Sequence, residues 1–364
     1  MGSAWGKNIR FTVFGESHGP AVGAVVEGLP AGFEPDMEEL KRQMARRAPA
    51  GKAFATPRAE ADRVEVRSGM FRGRLTGSPL CLEIHNTEQH SASYPEEMTL
   101  PRPGHADFTA HVRYAGAEDF RGGGHFSGRL TAPLMAAGAL AMQLLEKRGV
   151  TTGAHIRRIG AVEDAAWDAA SISAELLQSL AQSAFPTLNE AAAAAMLAAI
   201  EEARAAGDSL GGEIEAAVVG LPVGIGSPMM DGMESRLSSL LFAIPAVKGV
   251  SFGDGFALAR MRGSEANDAF MIEEDHICTA TNRCGGLLGG ITTGMPIVFT
   301  VAVKPTPSIA REQRTVNMKT MLDEKIAVRG RHDPCVAPRA LPVVEAAAAL
   351  AALDAWLDIE PAWR

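Results

Sequence analysis

Apolar and polar positions alternate, with β-branched residues on the apolar side, over Ile9–Phe14, Val22–Glu27, Val64–Arg67, Glu213–Val219 and Ile297–Val303, which predicts strands spread along the whole chain. Helical spacing predicts helices over Asp36–Arg47, over Leu130–Arg148 with a stop at Gly149, and over Glu190–Ala206 with a stop at Gly207. Thr187 and Glu190 stand in capping-box register before the last of these. Ser227-Pro228 predicts a helix start running toward Phe242, with Pro228 where no N–H is needed. A final apolar helix is predicted from about Val343 to Leu357. No linker or repeat divides residues 1–364, and strands do not alternate strictly with helices. The expectation is one α+β domain, antiparallel sheets with helices packed on them.

Composition narrows the function. With 364 residues, 46% of them hydrophobic, a large core is available. A net charge of −8 and only 5% aromatics argue against a surface for nucleic acid, so an anionic substrate must be met locally. Cys81, Cys278, Cys284 and Cys335 form no C-x-x-C pair and no zinc spacing, so neither disulfides nor a metal site is expected. The start, Met-Gly-Ser-Ala-Trp-Gly-Lys, lacks an apolar signal core and no stretch reads as a membrane span, so a soluble, cytoplasmic protein is expected.

Candidate chemistry sits in glycine-rich loops. Gly15-Glu16-Ser17-His18-Gly19 matches the G-x-S-x-G elbow of serine hydrolases, but a second strand follows where an elbow needs a helix, and Asp and His do not follow in triad order. Pro101-Arg102-Pro103-Gly104-His105-Ala106-Asp107 stiffens a cation, an imidazole and a carboxylate between prolines. Asp119 to Arg129 runs as a glycine-rich loop into a helix start suited to an anion. Gly285 to Gly294 exposes backbone, as a phosphate or flavin would require, although close strand packing explains such glycines equally well. Arg329-Gly330-Arg331-His332-Asp333-Pro334 gathers two arginines, an imidazole and a carboxylate; a solvated turn is the plainer reading of it. Neither G-x-G-x-x-G after a strand nor a P-loop occurs, and Gly51-Lys52 lacks the upstream glycine. Together the loops suggest a small polyanionic substrate and an anionic cofactor.

The blocks GESHGPAVGAVVEGLP, RPGHAD, DFRGGGHFSGR, GDSLGGEIE, IPAVKGVSFGDGF, CGGLLGGITTGMPI, KPTPSI and GRHDPCVAPRALPVVEA, in this order from about Gly6 to Ala346, resemble the chorismate synthase family. The resemblance implies a β-α-β sandwich, antiparallel sheets flanking a helical layer, in a homotetramer. It implies 1,4-anti elimination of phosphate from 5-enolpyruvylshikimate 3-phosphate, requiring reduced FMN without net redox change. By resemblance, His18 protonates the leaving phosphate, His105 maintains the protonation of the reduced flavin, and Asp333 and Ser17 assist proton transfer, with Ser127 beside them. His125, Phe126, Ser127, Ala246, Gly289, Lys304, Pro305, Thr306, Pro307, Ser308 and Arg331 would hold FMN. Arg47, Arg129 and Arg339 would bind substrate, since charge-assisted arginine pairs are the strongest option for carboxylates and phosphate. The family commonly has Arg-Ser in place of His125-Phe126, a second arginine in place of Ala53, and often an arginine in place of Thr300. With no dinucleotide fingerprint and no arginine at 53, a separate flavin reductase is expected to supply the reduced cofactor. A flavin-binding protein that lost the elimination is the competing class, and intact His18, His105 and Asp333 speak against it.

Overall fold

The computed structural model describes residues 2–49, 51–52, 54–55, 61–87, 97–328, 330 and 332–359. Two five-stranded sheets carry the fold, with every neighbouring pair antiparallel. The first holds, side by side, Ala4–Trp5, Arg10–Gly15, Ala21–Glu27, Leu80–His85 and Val64–Ser68. The second holds Val247–Phe252, Ile297–Val303, Gly212–Val219, Thr151–Ile159 and Val162–Glu163.

Between the sheets lies a helical layer. The helix Thr131–Glu146 packs on the first sheet, Ala337–Trp356 packs on the second, and the two helices pack on each other. Both are apolar nearly all round, the pattern of helices without a solvent face. One cluster of buried side chains from Ile9 to Leu357 joins these layers, so the β-α-β sandwich implied by the resemblance is what the chain forms. The helix Ala174–Gln182 packs on the second sheet over a smaller core of Trp167, Ile172, Leu177, Leu180, Ala217 and Val298, while Glu190–Ala205 packs beside it through Met196 and Ile200, which belong to the main cluster.

The helix Met37–Arg47 shows how sequence pattern builds the site. Asp36 caps it, accepting from the N–H groups of Glu38 and Glu39 at 2.9 and 3.0 Å, and the acidic first turn and basic last turn both suit the helix dipole. Its buried positions, Leu40, Gln43, Met44 and Arg47, follow the helical period. The period therefore puts a guanidinium on the core face.

Three predicted boundaries differ. The helix at Glu190 is capped by Asn189, whose side chain accepts from Ala191 N, while Thr187 donates its hydroxyl to the Asn189 carbonyl. Pro228 precedes only a short 3-10 turn, Met229–Asp231, and the α-helix begins at Met233 behind Gly232. The C-terminal helix begins at Ala337; Pro338 occupies its first turn, and Pro342 lies inside it without ending it. The strand Thr151–Ile159 went unrecognised because His155, Arg157 and Arg158 break its apolar pattern, although His155 is buried and paired with acids at both ring nitrogens.

The two central helices approach so closely at Gly138 that a Cβ there would stand 2.4 Å from the Cβ and 2.7 Å from the Cα of Ala346. Gly138→Ala is expected to cost about 1–3 kcal/mol through overpacking, more than the ~1 kcal/mol that alanine adds to helix propensity. A lowered urea midpoint measures this; an unchanged or raised midpoint would contradict the close packing.

Candidate active site

Ser17 and His18 lie in the turn between the strands Arg10–Gly15 and Ala21–Glu27, so the G-x-S-x-G match is a strand-turn-strand, as the sequence suggests. Asn86, just past the neighbouring strand, clamps this turn by donating to the carbonyls of Glu16 and Gly19 at 3.0 and 2.8 Å. Ser17 donates its hydroxyl to the Arg121 carbonyl at 3.1 Å and its N–H to Gly124 at 3.2 Å. That ties the turn to the loop Arg121–Phe126, in which Gly122, Gly123 and Gly124 all have positive φ.

The glycines are there because both imidazoles press on them. A Cβ at Gly122 would stand 2.5 Å from Ser17 Oγ and 2.7 Å from His18 Nε2, and one at Gly123 would stand 2.8 Å from His105 Cε1. Bare backbone at two successive glycines thus meets the two histidines, one imidazole at each. His18 is buried, and His105 is largely so.

On the far side, His105 belongs to a loop docked on residues 304–308. Lys304 donates its ammonium to the Gly104 carbonyl, and Arg102 donates to Ser308 Oγ at 3.4 Å. Burial, aided by Lys248, pulls the Lys304 amine below its ordinary pKa. Lys304 N donates to the carbonyl of Ala246, a residue itself at φ 75°. Thr306 Oγ1 is buried, and no described residue provides it a hydrogen-bond partner.

The arginines form the third wall. Arg47 and Arg129 both pair with Asp62, whose carboxylate is completely buried. Arg47 also donates to Thr131 Oγ1 at 2.9 Å, and Arg129 to Asn86 Oδ1 at 2.8 Å and the His85 carbonyl at 3.0 Å. Arg339 donates to the Arg47 carbonyl at 3.1 Å and to Asp333 at 2.6 Å. Burial, together with the neighbouring Arg339 and Arg129, pulls Arg47 down to about 10 despite Asp62. Lys52 falls to about 8, by burial first and then by Arg339, Arg46 and Arg47. Burial opposes the Asp62 charge, but Arg47 and Arg129 outweigh it and hold the carboxyl below its ordinary range.

A continuous chain of hydrogen bonds therefore runs from Asp333 through Arg339, Arg47, Asp62, Arg129 and Asn86 to the turn of Ser17 and His18. Past the glycine loop it resumes from His105 through Asp107 and Arg102 to Ser308. Ser127 caps the turn that carries Arg129, accepting from its N–H at 3.3 Å. His125 has both ring nitrogens occupied, by the Gly15 carbonyl at 2.8 Å and Ser3 Oγ at 2.9 Å, and so braces the loop. Phe126 is partly exposed against Tyr114. Gly289 stands at the tip of the hairpin Leu287–Thr292, with open space where a Cβ would be, and that hairpin packs on Ser227 and Gly232. Arg331, like Ala53, lies outside the described residues.

Asp62 and Asn86, which hold the arginines, went unnoticed in the sequence, since each stands alone in its segment with no motif around it. A separate polar cavity lined by Glu39, Arg42, Gln143 and Glu345 holds none of the candidates, and its charges pair with one another, Arg46 with Glu345 and Arg42 with Glu39. At the edge of the first sheet, Glu65, Glu83 and His85 come within ligating distance of one another, but the Arg67 guanidinium already lies among them.

Asp62→Asn is expected to leave two buried guanidiniums without their anion and to cost about 3–5 kcal/mol near neutral pH. Because the folded pKa of Asp62 is depressed, its contribution is present above the unfolded value of about 3.9 and fades as pH falls through the folded one. Denaturant titrations of both proteins should differ widely near neutrality and converge in acid below about pH 4; a pH-independent difference would contradict the pairing.

The chorismate synthase family profile matches residues 9–357. The chain is 48% identical over 349 residues to the chorismate synthase of Thermococcus kodakarensis, with 96% of each chain covered. It is 45% identical over 356 residues to that of Dehalococcoides mccartyi, covering 97% of this chain and 96% of the other. With that of Aeropyrum pernix it shares 46% identity over 361 residues, covering 98% and 94%. A solved structure of a chorismate synthase superposes with a TM-score of 0.76 at 28% identity, covering 98% of this chain and 93% of that one. Matches of this length and identity, on the fold and site just described, establish that the chain belongs to the chorismate synthase family of carbon–oxygen lyases.

Proposed function

We propose that the chain carries out its family's reaction, the elimination of phosphate from 5-enolpyruvylshikimate 3-phosphate to give chorismate, at the glycine loop between His18 and His105. That reaction is the last common step of the shikimate pathway. The observation that carries the assignment is the pair of imidazoles pressed against two successive bare glycines, with buried arginines tied through Asn86 to the turn of one of them.

The substrate carries two carboxylates and a phosphate. Arg47, Lys52, Arg129 and Arg339 gather around the carboxylates of Asp62 and Asp333, which concentrates guanidinium and ammonium groups at one place in an acidic chain and supports binding of an anion there. An anion bound there would raise the Lys52 amine, which stands near 8, back toward its ordinary value. His18, held by the Asn86-clamped turn, donates a proton to the departing phosphate, and Ser17 steadies that transfer. Asp333 is fixed by Arg339 and assists from the arginine side. An imidazole, with an ordinary pKa of about 6.5, suits proton exchange near neutrality.

Family members use reduced flavin, and the residues here suit reduced FMN. Thr306 Oγ1 is a buried hydroxyl awaiting a partner, and Lys304, Ser308 and Ala246 are gathered around it by the docked loop of His105. Ser127, His125, Phe126, Gly289, Pro305, Pro307 and Arg331 complete the proposed set. When bound, the reduced flavin lends electron density to the allylic C–O bond and recovers it afterward. His105 keeps the proton inventory at that side of the loop.

The reading extends to a homotetramer in the cytoplasm, the whole chain acting as one catalytic domain, with a separate reductase supplying the flavin. Exposed Met229, Met230, Phe256, Phe270, Ile272 and Ile277 support self-association. Among the described residues no helix is long and apolar enough to cross a membrane.

His18→Ala and His105→Ala are each expected to keep the fold and flavin binding but lose about 10²–10⁴-fold in kcat, the usual worth of a positioned acid or base. Anaerobic phosphate-release assays with reduced FMN measure this, and near-normal turnover in both variants would sink the assignment.

A further inference from the structure

His105 Nδ1 lies 2.7 Å from Asp107 Oδ1 and 3.2 Å from Arg102 Nη2. A guanidinium only donates, and an ionised carboxylate only accepts. Asp107 is ionised: burial opposes its charge, but hydrogen bonds from Arg102 and His105 win and hold the carboxyl far below its ordinary range. Arg102 directs its protons chiefly at Asp107. Its Nε and Nη2 fork onto both Asp107 oxygens at 2.7 Å, its backbone N–H reaches Oδ2 at 2.9 Å, and its Nη1 points to Ser308. A nitrogen 2.7 Å from a carboxylate oxygen needs a proton between them, so His105 Nδ1 is the donor.

The other nitrogen faces the chemistry. Nε2 lies on the side of Gly123, where a Cβ would stand 3.0 Å from it, on the loop whose neighbouring glycine meets His18 Nε2. We propose that Asp107, locked by Arg102, is the positioning residue of the reaction: it fixes His105 with its proton on Nδ1 and presents a bare Nε2 to the reacting side of the glycine loop. This rests on the reading of His105 as the imidazole that exchanges a proton there. The step is a balanced one: Nε2 accepts a proton and becomes imidazolium, Asp107 stays ionised and holds the Nδ1 proton, and return of the Nε2 proton restores the starting state. Because Arg102 also reaches Ser308, the orientation of the imidazole and the seat of residues 304–308 are set by one side chain. The charged groups around His105 are Arg102 and Asp107 on its own segment, Lys304 on the docked strand end, and Glu118 and Asp119 across the small cavity bounded by Phe120 and Phe126.

Nitrogen NMR of histidine-labelled protein, with the His105 signals identified by their loss in His105→Gln, reads the tautomer directly. Wild type should show a protonated Nδ1 and an unprotonated Nε2 in the neutral ring. Asp107→Asn offers an amide N–H to Nδ1 and should move the population toward the Nε2–H form. In the same variant kcat should fall at least about 100-fold, while KM for substrate and the Kd for FMN stay within about threefold. Asp107→Glu, which keeps a carboxylate, should recover part of kcat. An Nε2–H tautomer in wild type overturns the proposal, as does an Asp107→Asn protein with unchanged tautomer and unchanged kcat. The wild-type spectrum decides even if the variant fails to fold. Because it is taken without substrate, it also separates the two readings: the expected tautomer in a protein that never turns over removes the proposed function, and turnover with the opposite tautomer removes the role of Asp107.

Discussion

A single buried carboxylate, Asp62, holds two buried guanidiniums apart and in place, and the rest of the site is built outward from it. Like charges on Arg47 and Arg129 would repel in a dry interior; with Asp62 between them they become a rigid unit. Arg47 comes from the core face of one helix, Arg129 from the turn capped by Ser127, and Asp62 from the approach to the Val64–Ser68 strand. The ion triad therefore joins three separate parts of the chain. Arg129 then fixes Asn86, and Asn86 fixes the turn of His18. A buried electrostatic constraint thereby sets the position of the turn that carries His18.

The arrangement answers a problem posed by composition. An acidic chain that handles a polyanion must gather cations at one place and stop them from being neutralised by its own carboxylates. Here Arg47, Arg129, Arg339 and Lys52 crowd together, and burial lowers the pKa of Arg47 to about 10 and of Lys52 to about 8, so that an incoming anion would raise both again. The glycine loop adds the complementary feature, a surface that no side chain can occupy because two imidazoles lie against it.

Much of this was legible in the sequence because motif and geometry coincide. The Ser17–His18 turn, the stiffened loop of His105, the glycine run and Arg129 at a helix start fall where their local patterns place them, while Arg47 and Arg339 were reached through the family resemblance. Five predicted strands and the main helices formed for the same reason, since their apolar periods match the layers they pack against. What escaped is long-range pairing. Nothing around Asp62 or Asn86 signals a partner, because the partners lie tens of residues away and are chosen by the fold. The start of the C-terminal helix was hidden by Pro338 and Pro342, which local rules read as breakers but which the buried helix accommodates. His125 enters the cofactor set through the family resemblance, and no local signal shows that its ring nitrogens also brace the loop on Gly15 and Ser3.

The elimination proposed for this arrangement of imidazoles and arginines needs a reduced flavin but consumes no reductant. Anaerobic phosphate release from 5-enolpyruvylshikimate 3-phosphate, followed with FMN far below the substrate concentration and reduced once at the start, tests it most directly. The account predicts many phosphates released per flavin, with the flavin still reduced at the end and no release when it is oxidised. Phosphate release with oxidised FMN, or one flavin oxidised per phosphate, would contradict it.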